Sequence, residues 1–181
     1  MEIFIALLRG INVGGRNKIL MPALKKCLLE AGFNRVETYI QSGNIIFQTT
    51  QNQDISSLKT TIKQAIAKEF SLQIEVFILS YDELLAVKNA IPWINLGAEQ
   101  SAYFHFSFLE KNPVDSQTAL AGDFSPDEWV LGEKVIYIYC PNGYGKTKLH
   151  NTFIEKKLKL FATTRNFNTV EKLISLCQEM I

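Results

Sequence analysis

The hydrophobic positions in the first half of the chain alternate between strand-like runs and helix-like stripes. Apolar and β-branched runs predict four strands, at residues 2–8, 36–41, 44–48 and 74–79. Apolar residues at helical spacing predict three helices, which begin at Pro22, at Asp54 and at a capping box formed by Ser80 and Glu83. Ser42 and Gly43 separate the second strand from the third and predict a tight hairpin.

This β-α-β-β-α-β order is typical of a ferredoxin-like sandwich, in which two right-handed split β-α-β units enclose a hairpin. The first two helices then cover one face of a four-stranded antiparallel sheet. The opposite face is left to solvent, to a partner or to a ligand. The helix that starts at the capping box is an addition to this pattern.

The segment at residues 91–97 interrupts the pattern with Pro92 and Gly97 and predicts a domain boundary. We therefore predict a first subdomain at residues 1–92 and a second α+β subdomain at residues 93–181. In the second subdomain, strands are predicted at residues 101–109, 128–131 and 134–139, and helices after Pro113, at about residues 146–158 and from Asn168 onwards.

Composition excludes some classes of protein, and the distribution of charge adds detail. The chain has 181 residues, of which 47% are hydrophobic and 20% charged, with a formal net charge of +1. This excludes a disordered or polycationic chain. Residues 1–36 hold six cations and two anions, residues 73–133 hold two cations and ten anions, and residues 134–181 hold eight cations and three anions. Both ends of the chain are therefore basic, and cationic surfaces are expected there.

The cysteines and the apolar runs bear on the compartment. Cys27, Cys140 and Cys177 are widely spaced and form no C-x-x-C pair, which favours reduced core thiols over disulfides. The first apolar run is short and follows Glu2, unlike a signal peptide, and no run approaches the roughly 20 apolar residues of a membrane span. A cytoplasmic protein without a membrane segment is therefore predicted.

The first candidate loop, residues 9–18, connects a predicted strand to a predicted helix. Its candidate residues are three cations, three glycines and one of its two asparagines: Arg9, Arg16, Lys18, Gly10, Gly14, Gly15 and Asn12. Glycine amides surrounded by cations suit an anion held near the start of a helix. The same composition also fits a flexible connection whose cations are only solvated.

The second candidate loop, residues 141–148, lies between a predicted strand and a predicted helix, which is the context of a P-loop. The tripeptide at residues 145–147 matches the end of the G-x-x-x-x-G-K-[ST] motif, but Cys140 replaces its leading glycine, so nucleotide hydrolysis is not predicted. The residues that still suit a weaker phosphate site are Gly143, Gly145, Lys146 and Lys148. A simple turn at Asn142 and Gly143 is the alternative interpretation.

The third candidate loop, residues 163–169, leads into the last predicted helix. Asn168 suffices as the N-cap of that helix, which leaves Arg165 and Asn166 without a required local role. The guanidinium of Arg165 suits a phosphate or a carboxylate. The alternative is that Arg165 pairs with a carboxylate of the protein and that Asn166 tethers the backbone. His105 and His150 show no metal-type spacing, and neither a metal site nor a cofactor is predicted.

Several of these segments occur together in one bacterial family. Residues 6–15 with Asn17, Lys18 and Met21, then residues 38–44, and finally residues 162–169 resemble three motifs, in order, of the family known as domain of unknown function 1697. Pro141, Gly143, Gly145, Lys148 and Leu149 also fit that family, whereas Phe167 stands where the family often has Trp.

The resemblance implies an α+β fold with two ferredoxin-like α/β-sandwich subdomains and antiparallel sheets. It implies no activity, and no catalytic residue is transferred from it. It adds Ser42, Gly43 and Asn44 to the candidate residues, since an Asn at a hairpin tip can reach a ligand.

The function predicted from these loops is the binding of a small phosphorylated or carboxylated ligand in a cationic, Gly/Asn-rich cleft, with or without catalysis. RNA binding on the open sheet face is a second hypothesis. It is less favoured because the segment after Ser42 lacks the aromatic RNP1 pattern. Self-association through the same face is a third hypothesis. The sequence identifies neither the ligand nor the oligomeric state.

Overall fold

A computed structural model describes residues 1–50, 53–93, 98–114 and 120–181. The strands are β1 (Glu2–Leu8), β2 (Asn34–Tyr39), β3 (Asn44–Thr49), β4 (Val76–Ser80), β5 (Phe104–Leu109), β6 (Glu128–Gly132), β7 (Val135–Tyr139) and β8 (Ala162–Asn166). The α-helices are α1 (Met21–Glu30), α2 (Ile55–Phe70), α3 (Tyr81–Asn89), α4 (Asn151–Leu158) and α5 (Phe167–Gln178). Short 3-10 turns lie at Ala98–Tyr103 and Tyr144–Lys146. In this part of the chain, every helix is too short or too polar to cross a membrane.

The chain divides into two compact units, one formed by residues 1–85 with residues 173–181 and one formed by residues 86–172. The sequence predicts one boundary, between residues 92 and 93. In the structure the second unit begins earlier, at residue 86, and the chain returns to the first unit at residue 173. The C-terminus returns to the first unit because the carbonyl of Met180 accepts hydrogen bonds from Arg35 Nη1 (2.6 Å) and Gln48 Nε2 (3.1 Å). The end of α3 joins the second unit, where the Val87 carbonyl accepts a hydrogen bond from the Tyr137 hydroxyl (3.2 Å).

The first unit has the predicted ferredoxin-like topology. Its antiparallel sheet has the strand order β2-β3-β1-β4, with Leu7 of β1 opposite Asn44 of β3 and Phe77 of β4. The core lies between one face of this sheet and helices α1 and α2, and it includes Leu24, Leu28, Phe47, Leu58, Ile62 and Ile66. The predicted caps are confirmed. Asp54 accepts from the amides of Ser56 and Ser57, and Ser80 and Glu83 cap each other.

The second unit repeats this strand order in its own antiparallel sheet, as β6-β7-β5-β8. Its core lies on the face of the sheet that carries Ile136 and Ile138, against Leu149 and Ile154 around helix α4. The sequence reveals no internal repeat at a fixed period, so the equivalence of the two halves becomes visible only in the pairing of the strands. The fold is α+β with two four-stranded antiparallel sheets, as predicted.

The face of the first sheet that points away from α1 and α2 is buried in the chain. Ile5, Leu7 and Ile46 alternate with the helix-facing residues and are 0% exposed. The first of the three alternatives, a solvent-exposed face, is therefore wrong. The C-terminal residues of the same unit cover part of it, since Gln48 on this face binds the Met180 carbonyl. The three cysteines are free and buried, which confirms the interpretation as core thiols.

Two details differ from the predicted elements of the second half, and a third predicted element falls outside the described residues. The helix expected from residue 146 begins only at Asn151, because a 3-10 turn and an extended segment intervene. The last helix is capped by Asn166, whose Oδ1 accepts from the Thr169 amide at 2.9 Å, and not by Asn168. The helix predicted after Pro113 falls mostly on residues 115–119, which lie outside the described residues.

Candidate functional site

The first candidate loop is held in one conformation by asparagine side chains. Asn12 Nδ2 donates to the carbonyls of Ile19 and Gln41, both at 2.9 Å, and Asn12 Oδ1 accepts from the Ile19 amide, also at 2.9 Å. Asn17 Nδ2 donates to the Gly10 carbonyl at 2.9 Å. These bonds give Asn12 a structural role, and its role in orienting a ligand stays a prediction. The loop is thus an ordered element rather than a flexible connection.

The tip of this loop is a two-residue turn with glycines at its centre. Gly14 and Gly15 have φ of +57° and +74°, and the amide of Arg16 donates to the carbonyl of Val13 at 3.0 Å. Residues with side chains rarely adopt two successive positive φ values, so the turn requires these glycines. A Cβ at either glycine would meet no atom within 4 Å, so the surface around the turn is open.

Arg16 and Lys18 project from this open surface. Both side chains belong to exposed residues, and neither forms an ion pair with any residue that the structure describes. Lys25 of helix α1 and Lys63 of helix α2 differ in this respect, since Lys25 binds Glu37 at 2.9 Å and Lys63 binds Glu75 at 2.7 Å. Arg9 is half-buried, and its amide donates to the Glu75 carbonyl.

The hairpin tip at residues 40–43 lies beside this loop, because Asn12 also binds the Gln41 carbonyl. Asn44 is 0% exposed, and its Nδ2 donates to the Tyr39 carbonyl (3.0 Å) and to Ser42 Oγ (2.9 Å). The Asn44 side chain therefore stabilises the hairpin from inside and does not reach out from its tip, in contrast to the prediction. Gly43 is also buried, with φ of +77°.

The second candidate loop has a different course from a P-loop. A 3-10 turn at Tyr144–Lys146 precedes an extended segment, and helix α4 starts at Asn151, so Lys146 does not stand at the N-terminus of a helix. The Thr147 side chain is buried, and its hydroxyl accepts a hydrogen bond from the Leu149 amide at 3.0 Å. In a P-loop the hydroxyl at this position binds magnesium, whereas here it binds the backbone. Cys140 is buried, and burial raises the pKa of its thiol to about 11.

Lys146 and Lys148 are exposed on this loop, and neither forms an ion pair with a described residue. Gly143 has φ of +87°, and a Cβ at Gly143 or Gly145 would meet nothing within 4 Å. The loop therefore presents two cations on an open glycine surface, which is the chemistry that the sequence predicts for it.

Behind these lysines, Tyr144 joins the second loop to the third. Its ring stacks on the His105 ring, with centroids 4.6 Å apart and an interplanar angle of 22°. Its hydroxyl lies beside Thr164 but forms no well-oriented hydrogen bond to a described residue. Thr164 Oγ1 donates to Asn151 Oδ1 at 2.6 Å. Ser107, opposite Thr164 in the sheet, has a buried hydroxyl without a partner among the described residues.

Burial sets the protonation of this polar cluster, which we define as His105, Ser107, Tyr144, Asn151 and Thr164. Desolvation lowers the pKa of His105, although its hydrogen bond to the Tyr103 carbonyl opposes the shift, so the imidazole is neutral at pH 7. Desolvation raises the pKa of Tyr144, which keeps its phenol protonated. The cluster thus offers neutral donors and acceptors, and the positive charge of the site comes from the lysines.

Arg165 does not belong to this site, because it lies on the other face of the second sheet. It pairs with Phe106 across β5 and β8, whereas Thr164 pairs with Ser107, and consecutive residues of a strand point to opposite faces. Arg165 Nη1 donates to Thr163 Oγ1 (2.8 Å) and to the Thr164 carbonyl (2.9 Å). Burial lowers its pKa to about 10, so it stays cationic at neutral pH.

The structure thus divides the predicted residues between the two units. The first loop and the hairpin tip lie together in the first unit, and the second and third loops lie in the second. Asn166 caps α5. Sequence reasoning missed the polar cluster, although the alternation of His105 and Ser107 with phenylalanines marks them as neighbours on one face. Among the described residues, no group of His, Cys, Asp and Glu is placed to hold a metal ion.

Comparisons with known proteins give a family and a structural relative. Residues 1–137 match the model of a family described as protein of unknown function (DUF1697). This match includes the first loop and the hairpin but ends before the second and third loops. The chain is similar over 98% of its length to 99% of a conserved bacterial protein, SP0830 from Streptococcus pneumoniae, with 26% identity and a TM-score of 0.78. No curated protein matches the chain.

Proposed function

The chain belongs to the DUF1697 family of proteins of unknown function, and we propose that it binds a small anionic ligand, phosphorylated or carboxylated, on its cationic glycine loops. The observation that carries this proposal is the second loop, where Lys146 and Lys148 are exposed and unpaired with any described residue. An exposed lysine without a carboxylate keeps its full charge for a ligand.

The surroundings of the two lysines support a bound anion rather than a solvated loop. Gly143 and Gly145 leave open space, so an anion can approach the backbone amides closely. Tyr144 anchors the loop on His105, and Thr164 binds Asn151 beneath it, so the loop is held by contacts of its own unit. A preorganised cationic loop binds an anion with a smaller entropic cost than a mobile one.

The first loop offers the same chemistry in the first unit. Arg16 and Lys18 stand beside the Gly14 and Gly15 turn, which Asn12 holds in place. We treat it as a second anion-binding surface of the same kind. The predicted contributions of Asn12, Asn44 and Asn166 to ligand orientation are not part of the proposal, because all three amide side chains have structural bonds.

RNA binding and self-association on the sheet face remain the alternatives. The burial of Ile5, Leu7 and Ile46 argues against both, because a face that is 0% exposed at these positions is not available to a macromolecule. A cationic loop that binds small anions also attracts the phosphates of RNA, and this attraction weakens steeply with salt. Competition between a small anion and RNA for the loop therefore distinguishes the two functions.

Isothermal titration calorimetry with inorganic phosphate, pyrophosphate and citrate tests the proposal. We expect saturable binding of at least one of them, weakened about tenfold or more in a variant with Lys146→Gln and Lys148→Gln, since two charge-assisted contacts are lost. A parallel variant with Arg16→Gln and Lys18→Gln measures the contribution of the first loop.

A variant with Lys111→Gln and Lys134→Gln is the matched control, because it removes the same charge from exposed positions outside the loops. Equal weakening in the control would show that only net charge matters. Absence of binding at low salt for all three anions would refute the proposal. Binding of single-stranded RNA that phosphate does not displace would favour the RNA alternative.

A further inference from the structure

Four aromatic residues of the second unit meet at one end of its sheet, and we call this group the aromatic corner: Trp93, Tyr103, Phe104 and Tyr139. Trp93 stacks on Phe104, with centroids 5.6 Å apart and an interplanar angle of 20°. Tyr139 lies 5.2 Å from Phe104 and 6.0 Å from Trp93. Tyr103 meets Tyr139 edge to face at 6.4 Å. The four rings thus form one continuous aromatic surface.

This surface is not closed off as a core would be. Phe104 is 6% exposed, but Trp93 and Tyr139 are half-buried and Tyr103 is 37% exposed. The neighbouring aromatic residues of β5, Phe106 and Phe108, are fully buried and need no further explanation. Three partly exposed large rings, of which Tyr139 contacts both of the others, are more than the packing of this unit requires, and such patches mark binding sites.

A carboxylate stands at the edge of the aromatic corner. Glu128 of β6 lies directly opposite Tyr139 of β7, so the two side chains share a face of the sheet. Its Oε2 accepts a hydrogen bond from Trp93 Nε1 at 2.8 Å. Glu128 is exposed and forms no ion pair with a described residue, so its charge is not neutralised within that part of the chain.

The charge of this region selects the kind of ligand. The face of an aromatic ring carries negative electrostatic potential, and a carboxylate next to it adds a full negative charge. Residues 73–133, which contain most of the corner, hold two cations and ten anions. An anion is repelled by such a surface, whereas an organic cation gains from both the rings and the carboxylate.

We propose that the aromatic corner, together with Glu128, binds an alkylammonium group. The group is carried either by a free small molecule or by a lysine side chain of a peptide. This site differs from the anion-binding loops in charge and in residues. The sheet itself separates it from the polar cluster, since His105 points to the face opposite Phe104.

Fluorescence of Trp93 reports binding directly. The chain has two tryptophans, so the variant Trp129→Phe leaves Trp93 as the sole indole reporter. We expect choline to give a saturable change in its emission, and its uncharged isostere, with a tert-butyl group in place of trimethylammonium, to bind about tenfold more weakly or not at all. A Gly-Lys-Gly peptide, with Gly-Gln-Gly as its control, tests the peptide source.

Variants of exposed residues locate the site. Glu128→Gln keeps the acceptor for Trp93 but removes the charge, and we expect it to weaken choline binding about two- to fivefold. Tyr103→Leu removes an exposed ring and is expected to have a similar effect. Glu133→Gln is the matched control, since it removes an exposed acid of the same hairpin away from the rings, and it should leave binding unchanged. Far-UV circular dichroism checks that each variant is folded.

The outcomes separate the possibilities. Stronger binding of choline than of the peptide assigns the site to a free organic cation, and the reverse assigns it to a protein side chain. Equal binding of choline and its uncharged isostere would refute the proposal, and so would a Trp93 signal that no cation changes. Equal weakening by Glu128→Gln and Glu133→Gln would show that the carboxylate acts only through net charge, which also contradicts it.

Discussion

Replacing Gly43 by alanine adds one methyl group at the most crowded glycine of the first unit. Gly43 ends the hairpin turn before β3, with φ of +77°, and its carbonyl accepts from the Leu8 amide at 2.8 Å. A Cβ at this position would lie 2.7 Å from Leu8 Cβ and 2.8 Å from Ile11 Cδ1. Leu8 and Ile11 are each 1% exposed and belong to the core, so neither can move away freely.

The magnitude follows from two separate costs. An L-residue in the left-handed region costs about 1–2 kcal/mol. An additional methyl group forced into a packed core costs about 1–3 kcal/mol more, because Leu8 is fixed by the backbone pairing of β1 and only the Ile11 side chain can rotate. The Gly43→Ala variant is therefore expected to lose about 2–5 kcal/mol of its free energy of unfolding.

Gly15→Ala is the matched comparison, because Gly15 has nearly the same φ (+74°) but no atom within 4 Å of the position of a Cβ. It carries only the conformational cost of about 1–2 kcal/mol. Urea denaturation followed by far-UV circular dichroism measures both variants, with the same m-value as the unsubstituted chain. If Gly43→Ala loses no more stability than Gly15→Ala, the close approach of the hairpin to Leu8 and Ile11 is wrong.

Two further predictions concern the loop and the polar cluster. Asn12→Ala removes three hydrogen bonds and should lower the free energy of unfolding by about 2–4 kcal/mol. Asn17→Ala removes one hydrogen bond and should lower it by only about 1 kcal/mol. An Asn12→Ala variant that is stable but has lost its affinity for phosphate would show that Asn12 has a ligand-binding role. Burial lowers the pKa of His105 in the folded chain, so below about pH 6.5 the unfolded state binds the proton more readily and stability falls as pH drops through that lowered pKa. His105→Phe should flatten this decline in urea denaturation between about pH 7 and pH 5, and parallel declines would contradict it.

The elements of the fold were predictable because their signals are local. The Asp54 cap and the Ser80 and Glu83 capping box depend on residues two or three apart, and the structure shows each bond. The burial of the face of the first sheet that points away from helices α1 and α2 was not predictable. Whether Ile5 and Ile46 meet solvent depends on segments distant in sequence, such as the C-terminal residues that reach Gln48.

The roles of the loop side chains were the hardest to predict, because binding sites and tight loops use the same residue types. An asparagine that orients a ligand and one that binds the backbone look identical in sequence, and Asn12, Asn44 and Asn166 all bind the backbone here. The lysines differ because their charge has no local function. Lys146 and Lys148 are exposed, which a ligand-binding role requires.

The two units share one strand order, but their cationic loops follow different strands of it. In the first unit the cationic loop follows β1, the first strand of that unit in chain order, at the end where Leu7 pairs with Asn44. In the second unit the cationic loop follows β7, the third strand of that unit in chain order, at the end where Tyr139 pairs with Phe104. Within each unit the first and third strands in chain order pair antiparallel, so the two loops lie at opposite ends of equivalent sheets. The two loops therefore occupy non-equivalent positions in the shared fold, and their chemistry comes from the loop sequences rather than from the fold. If each loop binds an anion with residues of its own unit, the two pairs of charge-removing substitutions, at Arg16 with Lys18 and at Lys146 with Lys148, should add in free energy.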